Sequence, residues 1–191
     1  MQPHLLVAGA AAPTVEVVRG IAPDQLDAPT PCTEFDVRAL INHLLFWGPS
    51  LVGAARKEGV APPAEGEQDL AGSDWAARLE AQTDEIVASW SDPGAWEGMT
   101  RMGSPTQMPA PMIGGMVLGE LVVHGWDLAR ATGQHPHWRD EVLAFTYDTV
   151  HMTAEQGRQM GVYGPEVPVR ATAPALDRIL GLTGRDPSWT P

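Results

Sequence analysis

Glu120 and His124 stand four residues apart in Glu-Leu-Val-Val-His, inside a stretch that is otherwise almost wholly apolar. In a helix this spacing stacks two side chains on one face, so a carboxylate and an imidazole project side by side. Burying both is costly unless something neutralises them, and a divalent cation does so. Two ligands hold a metal weakly, so a third is expected from another element. His43, set among Leu40, Ile41, Leu44 and Leu45, is the best placed. Two imidazoles and one carboxylate form a ligand set suited to catalytic zinc with an open position. The same set suits the facial triad of non-haem Fe(II). Plainer readings use the same residues. A Glu and a His four apart are often a surface pair worth a few tenths of a kcal/mol, and a single His in an apolar helix is often a hydrogen-bonded core residue. Spacing alone leaves these readings open.

Other polar residues have competing readings. Asp127, three residues beyond His124, is placed either to hydrogen-bond an imidazole behind a metal or to form a structural pair. Trp47 and Trp126 are expected to pack rather than stack on a ligand. His135 and His137 read as solvated loop residues, and His151 as a core or surface residue of a helix. Cys32 precedes a helix start, where a thiol can be activated, but a small buried residue is the commoner use. The acidic residues Glu65, Glu67 and Asp69 read as a solvated loop.

Positioning such a cluster takes several helices, and the pattern supplies them. The apolar run Leu5–Ala12 reads as the start of a buried helix that continues through the Val15–Ile21 region, with Pro13 as its kink or its true start. Residues 22–31 carry turn chemistry. Thr33-Glu34-Phe35-Asp36 reads as a capping arrangement, with Thr33 as the cap. The helix it opens places Val37, Leu40, Ile41, Leu44, Leu45, Trp47 and Leu51 on a broad apolar face and ends at Gly59 and the proline-rich run to Glu67. A third helix is expected from a Ser73 cap to Asp92-Pro93-Gly94. Residues 95–111 allow a short hairpin turning at Gly103-Ser104-Pro105. A fourth helix, about Met112–Ala131, is apolar nearly all round and therefore central, with Gly133 as its terminal glycine. A fifth runs from about Arg139 to Met160, stopped by Gly161 or Gly164, and the proline-bearing tail is expected to wrap over the surface.

Bulk properties narrow the function. A chain of 191 residues suits one domain, here taken as 1–191. With a formal charge of −12 and only 12 Lys and Arg, it lacks the clustered positive charge that nucleic acid or an acidic membrane surface requires. No run approaches the roughly 20 apolar residues of a transmembrane helix. One cysteine excludes an internal disulfide and a cysteine-rich zinc site, in keeping with a reducing cytoplasm. The expected ligand is small.

The segments PTPCTEFDVRALINHL (residues 29–44) and GELVVHGWDLARATGQ (residues 119–134) resemble signature stretches of actinobacterial proteins related to the metal-binding domain of mycothiol-dependent maleylpyruvate isomerase, within the DinB-like superfamily. The tail VYGPEVPVRATAPALDRILGLTGRDPSW (residues 162–189) resembles the end of a mostly uncharacterised subgroup of that family, so the likeness covers nearly the whole chain. It implies an all-α, up-and-down four-helix bundle, with an extra short helix or hairpin, holding a metal by His, Glu and His. Those positions match His43, Glu120 and His124. The implied ion is Zn, with Ni or Fe as alternatives. The implied chemistry is activation of a small thiol such as mycothiol, which adds to a small electrophile in S-transfer or isomerisation. Non-catalytic metal or ligand binding and metal-dependent hydrolysis are the rival functions, in a monomer or homodimer. The chain is shorter than the isomerase by a separate C-terminal domain, so maleylpyruvate is not carried over as substrate. Arg101 and Arg130 are basic candidates for a substrate carboxylate.

Overall fold

A computed structural model describes residues 2–61 and 70–191. Among them are six α-helices and one minimal hairpin. Helix α1 spans Val7–Arg19, α2 Val37–Arg56, α3 Trp75–Trp90, α4 Ala110–Ala131, α5 Asp140–Gln159 and α6 Ala175–Leu182. The hairpin pairs β1 (Met99–Thr100) antiparallel with β2 (Met108–Pro109), just before α4. The protein is mostly helical, as the sequence predicts.

Helices α1 to α4 form the expected four-helix bundle, but the chain does not alternate strictly through it. At one end Val17, Val18, Val37, Leu40, Ile41, Trp75, Leu79 and Leu128 form one core cluster. At the other end Val7, Ala10, Leu51, Val52, Ile86, Trp90, Ile113 and Val117 join in a second. Helices α1 and α4 therefore run one way, and α2 and α3 both run the other. Two contacts fix the parallel α2–α3 pair: Gln82 Nε2 donates to the Leu44 carbonyl (2.7 Å) and Trp90 Nε1 to the Leu51 carbonyl (3.0 Å). The course is up, down, down, up. The 18 residues between α2 and α3 separate the end of one helix from the start of the other at the opposite end of the bundle.

Several helix limits differ from expectation for local reasons. Helix α1 starts at Val7 and carries Pro13 in its interior. The buried stripe Val7, Ala10, Ala11, Thr14, Val17, Val18 continues past the proline, and that packing outweighs a cost of about 3 kcal/mol. The cap of α2 is Asp36, not Thr33: its backbone is extended (ψ 179°) and its carboxylate accepts from the Ala39 N–H at 2.7 Å. Thr33 is spent in a turn that bonds Phe35 N–H to the Cys32 carbonyl and closes a bridge between Pro29 and Asp36. Helix α2 ends at Arg56, before Gly59 is reached, and its C-cap Lys57 is itself left-handed (φ 64°). Asp74, rather than Ser73, occupies the cap position of α3. The acidic residues Glu65, Glu67 and Asp69 lie outside the described residues. Gly133 and Gly161 stop α4 and α5 as expected, each at positive φ (72° and 74°), where a side chain would be strained.

The largest departure is the tail. It does not simply wrap over the surface: α6 packs against α5 and buries Ile179 and Leu180 completely. The prolines hid this helix, because Pro174 sits at its cap, where a missing N–H costs nothing. No helix among the described residues is long and apolar enough to cross a membrane.

Candidate metal centre

Helix α4 is buried nearly all round, with Leu118, Val122 and Leu128 fully enclosed. Its one polar stripe consists of Glu120, His124 and Asp127. The antiparallel course of α2 brings His43 level with that stripe. Glu120 Oε2 lies 3.6 Å from His43 Nε2 and 3.4 Å from His124 Nε2. The two imidazole rings meet edge to face at 5.3 Å. One donor atom from each residue falls within 4.8 Å of the other two. The three residues paired from spacing and from resemblance thus converge.

The cluster is only partly enclosed. The His124 side chain is 10% exposed, that of His43 19% and that of Glu120 28%, so one side of the cluster opens to solvent. Burial on its own would push the Glu120 carboxyl up. The charge of His124, the contact and charge of His43, and the charge of Arg185 outweigh it and hold the group at about 2. Glu120 is therefore a carboxylate at neutral pH. Asp127 is fully buried and accepts from His124 Nδ1 at 3.0 Å. In the neutral imidazole that donates Nδ1–H to this carboxylate, Nε2 keeps its lone pair on the side of Glu120. Asp127 makes both of the contacts open to it, one to the His124 imidazole and one ion pair, with Arg185.

Two neighbours were not visible in the sequence pattern. Arg185, 6% exposed, forms an ion pair with Asp127 at 3.1 Å. The Tyr163 hydroxyl, on the chain after α5, is pushed up to about 12 by burial and by the Glu120 carboxylate, against Arg185 and a hydrogen bond with Thr153. Both residues lie beyond α5, outside any helical periodicity, and it is the end of α6 that carries Arg185 to Asp127. Phe35 packs its ring 5.1 Å from that of His43. Burial raises the Cys32 thiol, with Arg185 opposing, so it stays protonated and is no activated nucleophile.

The remaining polar residues are elsewhere. Arg130 donates Nη2 to the Trp189 carbonyl and lies 5.9 Å over the Trp126 ring, tying down the C-terminus. Arg101 is exposed on the hairpin beside Gly59, and the ten residues from Ala110 to Glu120 put that end about 15 Å along α4 from the triad. Neither arginine is brought to the cluster. His151 stacks on Tyr147 at 5.6 Å on α5. A cleft of about 480 Å³ between α2 and α3 is lined by Leu45, Pro49, Val52, Arg56 and Gln82. It contains none of the three residues, because Leu45 lies two positions, or about 200°, around α2 from His43.

A family model described as the mycothiol maleylpyruvate isomerase N-terminal domain matches residues 7–129. Two uncharacterised proteins of Mycobacterium tuberculosis, from strains CDC 1551 / Oshkosh and ATCC 25618 / H37Rv, are each 28% identical over 171 residues, spanning 88% of this chain and 90% of theirs. The crystal structure of the mycothiol-dependent maleylpyruvate isomerase superposes with a TM-score of 0.62 at 13% identity, covering 86% of this chain and 73% of that one. A histidine-to-alanine mutant of the same enzyme gives 0.61 at 12% identity with the same coverage. At these identities the superpositions speak for the fold.

Proposed function

Because the chain belongs to the mycothiol maleylpyruvate isomerase N-terminal domain family, we propose that it is a metal-dependent thiol enzyme, an isomerase or S-transferase that joins a small thiol such as mycothiol to a small electrophile. The observation that carries this reading is the convergence of His43, Glu120 and His124 within 4.8 Å on a face open to solvent. The donor set fits a divalent ion: two neutral imidazoles and one carboxylate favour Zn, with Ni or Fe as alternatives, and do not fill its coordination. When bound, such an ion supplies the positive centre that favours a thiol ligand as thiolate.

The chain's own residues set the rest of the chemistry. Glu120 contributes a single negative charge, so a divalent ion beside it leaves a net positive site. Asp127 keeps His124 Nε2 turned toward Glu120. Cys32 stays a protonated thiol, so the nucleophile comes from a second substrate and not from the protein. Tyr163, raised by burial and by the Glu120 carboxylate, keeps its phenolic proton at neutral pH. Phe35 supplies an apolar wall beside His43. With Arg130 tied to the C-terminus and Arg101 on the hairpin, neither is assigned to a substrate carboxylate. We place this activity in a single domain, in the cytoplasm, with small-molecule partners.

The test is turnover of mycothiol with a panel of small electrophiles, conjugated cis-alkenes among them, by metal-loaded wild type and His43→Ala. Activity that falls at least about a hundredfold in the variant supports the reading, in line with the 10²-fold scale of lost positioning at a site. Activity retained in His43→Ala overturns it. Metal binding without turnover across the panel points instead to a binding protein.

A further inference from the structure

Asp127 is fully buried in the core, and its ion-pair partner comes from the far end of the chain. Arg185 grips it in a fork, Nη2 to Oδ2 at 3.1 Å and Nε to Oδ1 at 3.4 Å. Its remaining nitrogen, Nη1, donates to the Thr183 carbonyl at 2.8 Å. Every guanidinium nitrogen thus makes a hydrogen bond inside the protein.

The end of α6 is built to deliver this side chain. Gly184 takes φ 84°, its N–H bonds to the Gly181 carbonyl (3.1 Å), and the Arg185 N–H bonds to the Leu180 carbonyl (2.8 Å). This is the Schellman closure, which turns the chain back across the helix end. Any Cβ at Gly184 would stand 2.8 Å from Gly164 Cα, so the turn is seated against the backbone next to Tyr163. The buried Ile179 and Leu180 anchor it.

A carboxylate bound at one oxygen can swing about its last torsion, whereas one gripped through both oxygens has a fixed plane. Asp127 Oδ2 receives both His124 Nδ1 and Arg185 Nη2, so the plane that Arg185 sets is also the plane that aims the imidazole. The arginine also offsets the charge of Asp127, which then orients His124 without adding net negative charge to the site. We propose that Arg185 is a positioning residue of the metal centre, acting through Asp127 to aim His124, and that α6 therefore completes a site whose ligands all lie within residues 7–129. This rests on the reading that the triad holds a metal.

The test uses the full chain as wild type, Arg185→Gln, Arg185→Lys, Asp127→Asn and the Asp127→Asn/Arg185→Gln double variant. Two-bond ¹H–¹⁵N NMR of the metal-free proteins reads the His124 tautomer. Titration with Zn²⁺, and with Co²⁺ followed by its visible absorption, reads affinity and geometry. Wild type is expected to hold His124 as the single Nδ1–H tautomer. Arg185→Gln is expected to mix tautomers, change the Co²⁺ spectrum and weaken Zn²⁺ binding about 10–100-fold, the usual effect of losing an outer partner. Arg185→Lys should recover part of the loss, and the double variant should bind no worse than Asp127→Asn. A wild-type tautomer and affinity in Arg185→Gln would overturn the proposal, as would an equal loss with Asp127 already neutralised. If Arg185→Gln does not fold, Arg185→Lys, which keeps the charge and loses the fork, decides on the same readouts. A wild type that binds neither ion ends the metal reading, while the tautomer still judges the hold of Arg185 on His124.

Discussion

At the scale of residues, the site is a small number of charges that balance one another. Glu120 faces two imidazoles, and His124 bridges it to Asp127. Binding of an ion to the folded chain alone adds about 2.7 kcal/mol at a hundredfold excess over its Kd. Chelation should therefore lower the melting temperature of metal-loaded wild type and leave Glu120→Ala almost unchanged, as differential scanning calorimetry would show. Elemental analysis of untagged protein should find one metal per chain, absent from His124→Ala. Equal responses of wild type and Glu120→Ala to chelation would remove Glu120 from the ligand set. Tyr163 gives a separate test. Its hydroxyl is raised from 10.0 to about 12 in the fold, so the folded chain holds that proton more tightly than the unfolded one. The stabilisation is complete below about pH 10 and is lost as pH rises through about 12. Denaturant melts at pH 8 and pH 11 should show a larger loss for wild type than for Tyr163→Phe.

At the scale of elements, α4 is the platform and α2 sets the register. The Asp36 cap fixes where α2 begins, and so the turn on which His43 sits. Removing a side-chain cap costs about 1 kcal/mol. Asp36→Ala should lose about that much by urea unfolding, whereas Thr33→Ala should stay within about 0.5 kcal/mol, the range of a surface change. The opposite ranking would restore Thr33 as the cap. The Thr-x-x-Asp pattern misled because either residue can cap a helix. The choice was made by the Pro29–Asp36 bridge and the turn at Cys32–Phe35, which local sequence does not show.

At the scale of the whole molecule, the bundle and its tail are one packing problem. The long return between α2 and α3 sets α2 antiparallel to α4, and α5 then presents a surface on which α6 buries Ile179 and Leu180. Truncating a fully buried Ile or Leu to Ala costs about 2–5 kcal/mol. Leu180→Ala should fall in that range in equilibrium unfolding, while a surface-wrapped tail would tolerate the change at little cost. A loss below about 0.5 kcal/mol would detach α6 from the core.

The helical class, the central burial of α4 and the shared face of Glu120 and His124 were legible in the sequence, because they follow from periods of three and four residues within single segments. The sequence also marked His43 as the residue to join them, although spacing within α2 cannot say which helix that face will meet. Tertiary structure decided the rest. It set the parallel run of α2 and α3, chose Asp36 over Thr33, tied Arg130 to the Trp189 carbonyl, and brought Arg185 to Asp127 from a proline-bearing tail. The partners in these contacts lie up to 59 residues apart, as with Arg130 and Trp189. Their meeting depends on which apolar faces bury one another, and that is settled only when the whole chain is packed.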